Sequence, residues 1–534
     1  MASLRVGIGW QVARSTGSLL ASRAVVAVAT LVSLPIVYDG LGAHEFGVWA
    51  LLGVLATLFT LIDLGLGPAQ IREVARAHDA AGRRYARASL GLGLLCGVAL
   101  GVAAIVVTLA GWPLLARLFH IIGPAQQARE AALWLMVGVL ADQVSVPWRA
   151  MLAGTQRYTA VAVVTGLCAV LTAVLAVLVI RLGGGLAALG ATTAATNAIR
   201  TILLIAVAQR KVRSLTPSLR RIRRSDVRSV LGYGLPVQLT KVAGTGTVAL
   251  SPLVVGGVFG PAAVGGFDLA GRLLSLLRLP ADLLFTVLFP VTVAQFARHG
   301  RQWIDEFYHR FTGYVTAFAA PSAAAMVVCA EPLVRFWMGH DVPWAAGSIA
   351  ILAPGYALGL VIGVATLVTR TEGKPGRETA SLIVALVVNV ALIYPMMRLC
   401  GPLGAATSTL VAIVISTVGF FLQFHRATHR PVLPLLRAAA PGTLASVLAA
   451  TAGWLAAPHL PDLAGRWGAG VTTACRGTVV LVVGGAVLAA TQLLDPAVRP
   501  HAWPRPLRAR RPAVGPVPGV PAAARQSEIE RDFA

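Results

Sequence analysis

The chain has 534 residues, of which 57% are hydrophobic and 12% charged, with a mean hydropathy of +0.76 and a formal net charge of +24. No soluble domain of this length exposes so much apolar surface to water, so the composition excludes a soluble enzyme and predicts an all-α polytopic membrane protein. The five cysteines contain no CxxC pair and no His-rich cluster accompanies them, so neither a disulfide framework nor a bound metal is expected.

Apolar blocks of about 20 residues, each long enough to cross roughly 30 Å of hydrocarbon as a helix, recur as far as residue 493. The first block, Ser18 to Tyr38, is too long for the apolar core of a cleavable signal peptide and is interpreted as a permanent span. Fourteen spans are predicted, over residues 17–38, 46–66, 88–111, 131–151, 159–180, 187–208, 231–258, 270–295, 311–330, 346–369, 379–398, 404–424, 438–457 and 471–493.

The positive charge is distributed as a topology signal. Most of the 45 Lys and Arg residues fall between even-numbered and odd-numbered spans or in the two terminal segments, which places both termini in the cytoplasm by the positive-inside rule. A nucleic-acid partner is therefore not expected. The segments predicted to face outward hold only seven cations: Arg117, Arg129, Arg181, Arg335, Arg398, Arg466 and Arg476.

The sequence contains an internal repeat. The segment LGAHEFGVW, from Leu41, aligns with FGPAAVGGF, from Phe259, at an offset of 218 residues that places Gly42 on Gly260. The repeat predicts two parallel six-helix lobes, an arrangement in which transporters often bind substrate between the repeats. The expected domains are a lobe over 1–208, a basic cytoplasmic linker over 209–230, a lobe over 231–424, two extra spans over 438–493, and a disordered Pro- and Arg-rich cytoplasmic tail over 494–534.

Five cations lie inside predicted spans, where a charge costs several kcal/mol unless it snorkels, pairs or faces a water-filled cavity: Arg23, Arg200, Lys241, Arg272 and Arg278. The repeat offset places Arg23 on Lys241, so a cation from each lobe would face a central cavity at matched depth. Snorkelling to the headgroups is the alternative for Arg23. Lys241 lies about ten residues, or about 15 Å, inside its span, which favours a position lining the cavity.

The other three cations each have two interpretations. Arg272 follows Asp268 by four residues and Arg278 precedes Asp282 by four, so each pair could stack on one helix face as a structural ion pair or leave its cation free to bind substrate. Arg200 lies in the sixth span among polar residues and is expected either to line the interior of the first lobe or to be structural.

Two aspartates are candidates for energy coupling. Asp142 lies near the middle of the fourth span and has no partner four residues away, so it could bind a proton or another ion, or pair with Arg149 or with a cation on another helix. Asp63 lies at the cytoplasmic end of the second span. An interfacial helix-end role is favoured for Asp63 over ion coupling.

The stretch from Tyr38 to Arg76 resembles the start of the Wzx-type polysaccharide flippases of the multidrug/oligosaccharidyl-lipid/polysaccharide (MOP) exporter superfamily. The resemblance extends over roughly residues 15–425 and includes EPLVRFWMG, from Glu331 to Gly339. The pair Ser22–Arg23 is similar to a pair in lipid II flippases, although the further basic residue of their first helix is missing here. The matching positions of the first motif are Leu41, Gly42, Phe46, Gly47, Asp63, Leu64, Gly65 and Leu66.

This resemblance implies a flippase that moves a polyprenyl-diphosphate-linked oligosaccharide from the inner to the outer leaflet of a bacterial cytoplasmic membrane by alternating access, for cell-surface polysaccharide assembly. Arg23, Lys241, Arg272, Arg278 and Arg200 would offset the charge of the diphosphate, and Asp142, with Asp63 second, would couple transport to an ion gradient. No cofactor is expected, because an ion gradient or the membrane potential would supply the energy. The expected partners are the lipid-linked oligosaccharide, membrane lipids, and a polysaccharide polymerase or other assembly protein.

Three other functions compete with the flippase. A MATE-like multidrug exporter has the same architecture but would bind cations, which calls for acidic groups in the cavity. A membrane glycosyltransferase, O-antigen ligase or polymerase would carry a large outward domain, whereas the longest outward segments here have about 20 residues. A channel would carry a filter motif, and none is found. The absence of a Walker A sequence also argues against direct coupling to ATP.

Overall fold

The computed structural model describes residues 2–63, 65–77, 79–121, 125–219, 224–374, 376–459 and 465–494. In this part of the chain the regular secondary structure is helical, with three single-turn 3-10 helices at Arg213–Leu215, Gly401–Leu403 and Ala457–His459. The α-helices are α1 Ala2–Leu61, α2 Leu66–Ala75, α3 Ala80–Leu118, α4 Ala125–Gly154, α5 Tyr158–Arg181, α6 Leu186–Lys211, α7 Arg224–Phe259, α8 Pro261–Val328, α9 Ala330–Met338, α10 Ala345–Thr371, α11 Gly376–Cys400, α12 Gly404–Thr428, α13 Leu433–Ala456 and α14 Gly465–Leu494.

The predicted all-α polytopic membrane fold is confirmed. The described residues include 11 helical segments that are long and apolar enough to cross a membrane. Three of them, Gly17–Leu61, Pro261–Val328 and Gly376–Thr428, have 45, 68 and 53 residues and are each interrupted near the middle. Counting both halves of these three segments agrees with the approximate count of fourteen spans.

The glycines that the repeat aligns adopt the same backbone conformation. Gly42 breaks α1 into two arms with φ 78° and ψ 165°, and Gly260 separates α7 from α8 with φ 82° and ψ 175°. Glycine alone adopts such positive-φ angles without strain, because any Cβ would clash with the backbone. The side of the molecule that carries these two turns is called the outer end below, and the side where the span of α1 starts is called the inner end.

The helices up to Leu488 form one compact unit. In its N-terminal half α4 packs against α3 and α6, and α5 packs against the first arm of α1. In its C-terminal half α8 packs against α10 and α13, and α11 packs against α7 and α12. This pattern is compatible with the predicted division into two six-helix lobes, which itself stays a prediction.

Two short helices are absent from the list of predicted spans. Helix α2 follows the second arm of α1, starts after Gly65 in a left-handed turn, and buries Leu66, Ala69 and Val74. Helix α9 lies between α8 and α10, where Glu331 pairs with Arg335 one turn later at 2.9 Å. Both are too short to span a membrane, so a search for long apolar segments does not detect them.

Some predictions concern residues outside the described part of the chain. They are the disordered tail beyond residue 494, residues 220–223 of the basic linker, and the side chain of Asp282, which was the proposed partner of Arg278. The extra spans predicted over 438–493 correspond to α13 and α14, and Ala449 and Val480 of these helices pack together with Ala324 and Val328 of α8.

Candidate substrate cleft

The two halves meet closely at their outer ends through residues related by the repeat. A Cβ on Gly47 would lie 1.9 Å from the carbonyl oxygen of Pro261, and a Cβ on Gly265 would lie 3.8 Å from the carbonyl oxygen of Ala43. Gly47 is the repeat equivalent of Gly265, and Ala43 that of Pro261, so both contacts follow the same internal symmetry. Phe46, fully buried, packs against Gly265 in this interface. Without side chains at the two glycines, the backbones can approach.

Polar contacts close the same end between α1 and the segment that follows α8. The indole Nε1–H of Trp337 donates to the backbone oxygen of Leu31 at 2.8 Å. His340 Nε2 lies 2.9 Å from the Asp39 carboxylate, and its ring packs against Tyr38 at 5.4 Å between centroids. The outer ends of the halves are therefore joined in this conformation.

His340 is suited to carry a positive charge. Its Nδ1 lies 3.0 Å from the backbone oxygen of Asp341, and its Nε2 faces Asp39, so only a doubly protonated ring can donate to both acceptors. The hydrogen bond to the Asp341 carbonyl raises the pKa of His340, partial burial opposes this, and the Asp39 carboxylate adds to the increase.

The first arm of α1 becomes exposed toward its inner end. Leu34 and Tyr38, each 6% exposed, pack in the core that includes α8. Arg23 precedes them by 11 and 15 residues and so lies on the same face of the helix, about three to four turns further inward. Arg23 is exposed and makes no ion pair with any residue whose side chain the structure describes. The face that touches the other half at its outer end therefore presents a cation at its inner end.

The N-terminal arm of α8, before the interruption of this long helix, shows the same change from buried to exposed side chains. Val264 is fully buried at its outer end, whereas Ser275 and Arg278, three and four turns inward on the same face, are exposed. Arg272 Nε lies 2.7 Å from Asp268 Oδ2, so this predicted i,i+4 pair is present, with Arg272 still 38% exposed. The sides of α1 and α8 that are buried at the outer end thus become exposed toward the inner end, and the region between these two exposed sides is called the cleft below.

Arg278 has a partner that the sequence pattern does not show. Its guanidinium lies over the ring of Tyr356 of α10, 5.7 Å from the centroid. A cation–π contact at this distance orients a guanidinium without neutralising it. Among the side chains that the structure describes, no carboxylate pairs with Arg278, so its charge is not neutralised by them.

Lys241 joins the two halves at their inner ends. Its Nζ lies 3.2 Å from Oδ2 of Asp63, at the end of the second arm of α1. Asp63 also accepts the backbone N–H of Gly65 at 3.0 Å and precedes α2. The structure thus brings together two predicted residues that had been assigned separate roles, while Arg23 and Lys241 do not pair with each other.

The remaining predicted residues meet inside the N-terminal half. Asp142 Oδ1 lies 2.8 Å from Arg200 and 3.3 Å from Arg149. These are the two kinds of partner that the sequence left open for Asp142, one on its own helix and one on α6. Two guanidinium groups on one carboxylate leave a net positive charge at this cluster. The ion-coupling role of Asp142 stays a prediction.

A second concavity lies on the opposite face of α1. It encloses about 620 Å³ between α1 and α5 and is lined by apolar side chains such as Val28, Val32 and Val174, with Ser33 as its one hydroxyl. Val25 and Val32 lie half a helical turn away from Arg23. Because no charged residue lines this groove, it is separate from the cationic cleft.

The sequence did not single out Arg430, which the structure places in a buried network. Its side chain is 2% exposed and binds Asp305 at 2.5 Å and Glu372 at 2.7 Å. The backbone oxygen of Arg430 also contacts His425, which in turn contacts Tyr308. This network joins α8, α10 and α12 at their inner ends. No group of His, Cys, Asp and Glu that could hold a metal ion occurs in the described residues.

Known structures share this architecture. An inward-facing MATE-family multidrug resistance transporter of the MOP superfamily superposes with a TM-score of 0.65 at 17% identity, over 75% of this chain and 94% of that one. The lipid II flippase MurJ in an inward closed conformation gives 0.69 at 11% identity, over 89% and 99%. A MOP transporter from Pyrococcus furiosus, described as having a binding pocket of reverse polarity, gives 0.56 at 18% identity, over 78% and 95%.

These similarities define the fold as that of a MOP-superfamily transporter. The family model described as "Polysaccharide biosynthesis protein" matches residues 41–345, more than half of the chain. The chain therefore belongs to this polysaccharide biosynthesis family, and it is an integral membrane protein with the fold of the MOP-superfamily transporters. No curated protein sequence matches it significantly.

Proposed function

We propose that this protein is a flippase that moves a polyprenyl-diphosphate-linked oligosaccharide from the inner to the outer leaflet of a bacterial cytoplasmic membrane. The observation that carries the proposal is that cations of both halves are exposed on the sides of α1 and α8 that are buried at the outer end. Arg23 comes from the N-terminal half, and Arg272 and Arg278 come from the C-terminal half. Lys241 reaches from the C-terminal half to the N-terminal one.

A diphosphate group needs this kind of environment. Its negative charges lose hydration on entering a low-dielectric path, and nearby cations compensate for that loss. At an effective dielectric constant of about 20, two opposite unit charges 4 Å apart attract by about 4 kcal/mol. Guanidinium groups bind phosphate oxygens in a bidentate manner, which favours arginine at such positions. A cleft with arginines on both walls can thus hold the headgroup while the apolar tail stays in the bilayer.

The charge pattern argues against a cationic drug as the substrate. A cation-binding cavity needs carboxylates that are free to meet the substrate. Asp63, Asp142 and Asp268, in or at the ends of the described spans, are bound to Lys241, to Arg200 and Arg149, and to Arg272 respectively. In each pair the carboxylate is the less exposed partner, and Arg23 and Arg278 form no ion pair with a described side chain, so the arrangement favours an anionic ligand over the substrates of a multidrug exporter.

The membrane potential can supply the energy for outward movement without a cofactor. Moving one charge across 100 mV changes its free energy by about 2.3 kcal/mol, and a potential negative inside drives anions outward. A headgroup with two or more uncompensated negative charges would therefore be driven in the proposed direction. Asp142 remains the proposed site for any additional ion coupling. Because two guanidinium groups already contact its carboxylate, another cation would reach it only after the cluster rearranges.

The proposed function also implies a location and partners. With the basic inner ends in the cytoplasm, substrate would enter from the inner leaflet and leave to the outer one, where a polymerase or another assembly protein would use it. The fold is shared with transporters and a lipid flippase, and the proposal assigns no chemical step to the protein itself.

Reconstitution tests the function directly. Liposomes containing the purified protein and a fluorescent polyprenyl-diphosphate sugar are treated with a membrane-impermeant quencher, and the fraction exchanged between leaflets is followed in time. We expect exchange well above that of protein-free liposomes. Exchange no faster than in protein-free liposomes, together with transport of a cationic dye, would show a drug exporter instead.

A further inference from the structure

We propose that the Lys241–Asp63 ion pair is a lock that holds the inner ends of the two halves together in the empty protein, and that the diphosphate of the substrate opens it by taking Lys241 from Asp63. The inference rests on the proposed function and deepens it, because it assigns a trigger for the conformational change. It also gives the predicted substrate-binding and ion-coupling residues a joint role.

The inner junction is a close contact of backbone on backbone. Gly65 adopts φ 70°, and a Cβ at this position would lie 2.0 Å from the carbonyl oxygen of Gly234. The turn between α1 and α2 therefore rests directly on α7. Lys241 follows Gly234 by seven residues, or two turns, so it emerges from the same face of α7 as the contact.

A buried polar side chain at the inner junction destabilises the closed state. Gln238, 7% exposed, lies on this face between Gly234 and Lys241, and neither its amide nitrogen nor its amide oxygen has a hydrogen-bond partner among the residues that the structure describes. A buried amide without partners favours any state in which it reaches water or a new partner. The ion pair between Lys241 and Asp63 offsets this tendency, so loss of the ion pair should allow the junction to separate.

Lys241 is more accessible than Asp63, as is needed if the substrate is to take Lys241 from Asp63. The side chain of Lys241 is 45% exposed, whereas that of Asp63 is 14% exposed. An anion entering the cleft can thus reach the ammonium group without displacing the carboxylate. Its two or more negative charges attract that group more strongly than the single charge of Asp63 does.

The Asp63 carboxylate keeps favourable interactions after Lys241 has left it. Asp63 keeps the hydrogen bond from the N–H of Gly65 and lies beside the N-terminus of α2, where the helix dipole favours negative charge. The exchange therefore moves the ammonium group of Lys241 from the Asp63 carboxylate to the diphosphate, and both anions keep favourable electrostatic interactions.

Distance measurements between spin labels test the lock. Cysteines are introduced at Ala80 and Ala427, exposed residues at the inner ends of the two halves, after the five native cysteines are replaced by alanine. The full chain in lipid nanodiscs is measured with and without inorganic pyrophosphate. In the wild type, pyrophosphate should increase the population of longer inner distances. Asp63→Asn should raise that population about fivefold without any ligand, as expected for loss of a partly exposed ion pair.

The variants separate the two parts of the proposal. In Asp63→Asn, pyrophosphate should not increase the population of long inner distances any further. In Lys241→Gln, that population should already be raised without any ligand, and pyrophosphate should not change it. Glu306→Gln, which removes an ion pair within one helix, to Arg310, is the matched control and should retain wild-type distances. If Asp63→Asn keeps wild-type distances, or if pyrophosphate shifts Asp63→Asn as strongly as the wild type, the lock is wrong.

Failure of the lock can be distinguished from failure of the function. If the protein exchanges the lipid-linked sugar between leaflets while neither pyrophosphate nor Asp63→Asn changes its inner distances, it is a flippase without this lock. A protein whose distances respond as predicted but which exchanges no such lipid has the lock and a different anionic substrate.

Discussion

Arg430 belongs to a segment whose positive charges are interpreted from the sequence as orientation signals, yet its side chain is buried. It lies in the basic segment between α12 and α13, which the sequence explains as an orientation signal. In the structure its guanidinium binds Asp305 and Glu372, two carboxylates from α8 and the end of α10. A single charged side chain thus joins three parts of the C-terminal half.

Removing this side chain should destabilise the protein. Arg430→Ala would leave two carboxylates close together without their cation, and breaking a buried ion pair typically costs about 3 to 5 kcal/mol. Because Asp305 is 33% exposed, the lower end of this range is expected. Thermal unfolding in detergent should show a clear decrease in Tm. The matched control is Arg426→Ala, which removes an exposed arginine of the same segment and should leave the Tm almost unchanged.

At the residue scale, the sequence predicted the important charges better than their partners. Composition and hydropathy single out Asp142, Arg200 and Lys241, because charges within apolar spans are costly and therefore rare. Their contacts depend on how helices pack: Asp142 and Arg200 are 58 residues apart, and Asp63 and Lys241 are 178 apart. No local pattern encodes such pairings, so the pairing of Lys241 with Asp63 could not be predicted.

At the scale of single elements, hydropathy located the spans because a helix that crosses a membrane must be long, apolar and internally hydrogen-bonded. The repeat also placed Gly42 and Gly260 at equivalent turns, as the structure confirms. The short helices α2 and α9 were not predicted as elements, since their stability comes from packing one face against neighbouring helices rather than from apolar length.

The outer contact between helices should depend on the size of residue 47. Gly47→Ala places a methyl group on the backbone of Pro261, at a contact that cannot be relieved by rotating a side chain. We expect the outer ends to separate, so that spin labels at Leu182 and Leu399, both strongly exposed at the outer ends, report longer distances. Gly53→Ala lies on the same arm with open space around it and is the control. Unchanged distances in Gly47→Ala would show that this contact does not position the halves.

The contact between α1 and the segment after α9 should depend on pH. Hydrogen bonding to Asp341 and Asp39 raises the pKa of His340 above its usual value. The charged pair is therefore fully present below pH about 6.5 and is lost as the pH rises through the raised pKa. The Asp341 carboxylate also raises the pKa of His340, and this carboxylate is bound by Arg335 at 2.6 Å.

The same outer labels can measure this dependence. The short outer distance should be more populated at pH 5.5 than at pH 8.5, by a small factor, because both partners are largely exposed. His340→Gln should remove the difference, and His459→Gln, at another exposed histidine, should keep it. An equal pH effect in His340→Gln would assign the dependence to another group.

At the scale of the whole molecule, the two halves are joined at their outer ends and, through α2 and α7, at their inner ends, while cations are exposed on the inner parts of α1 and α8. Transport of a lipid requires the converse state as well, in which the outer ends separate. The contacts of Gly47 and Gly265 are related by the repeat, and we expect the two halves to rotate against each other about this interface.

We predict from the basic residues of the inner ends that these ends face the cytoplasm, and this orientation can be measured. In a cysteine-free background, Leu182→Cys and Leu399→Cys should react with a membrane-impermeant maleimide in intact cells. Ala80→Cys and Ala427→Cys should react only after the cells are permeabilised. The reverse pattern would place the cationic end of the cleft outside and contradict entry of substrate from the inner leaflet.

The central claim is that cations from both halves of the cleft carry an anionic headgroup, and leaflet exchange of a polyprenyl-diphosphate sugar in proteoliposomes tests it most directly. The account predicts that Arg23→Ala and Lys241→Ala each slow exchange at least tenfold, as expected when a charged hydrogen bond of about 1.5 to 3 kcal/mol is lost. Arg181→Ala, at an exposed arginine of the outer end, should exchange at the wild-type rate. Wild-type exchange by both Arg23→Ala and Lys241→Ala would contradict the account.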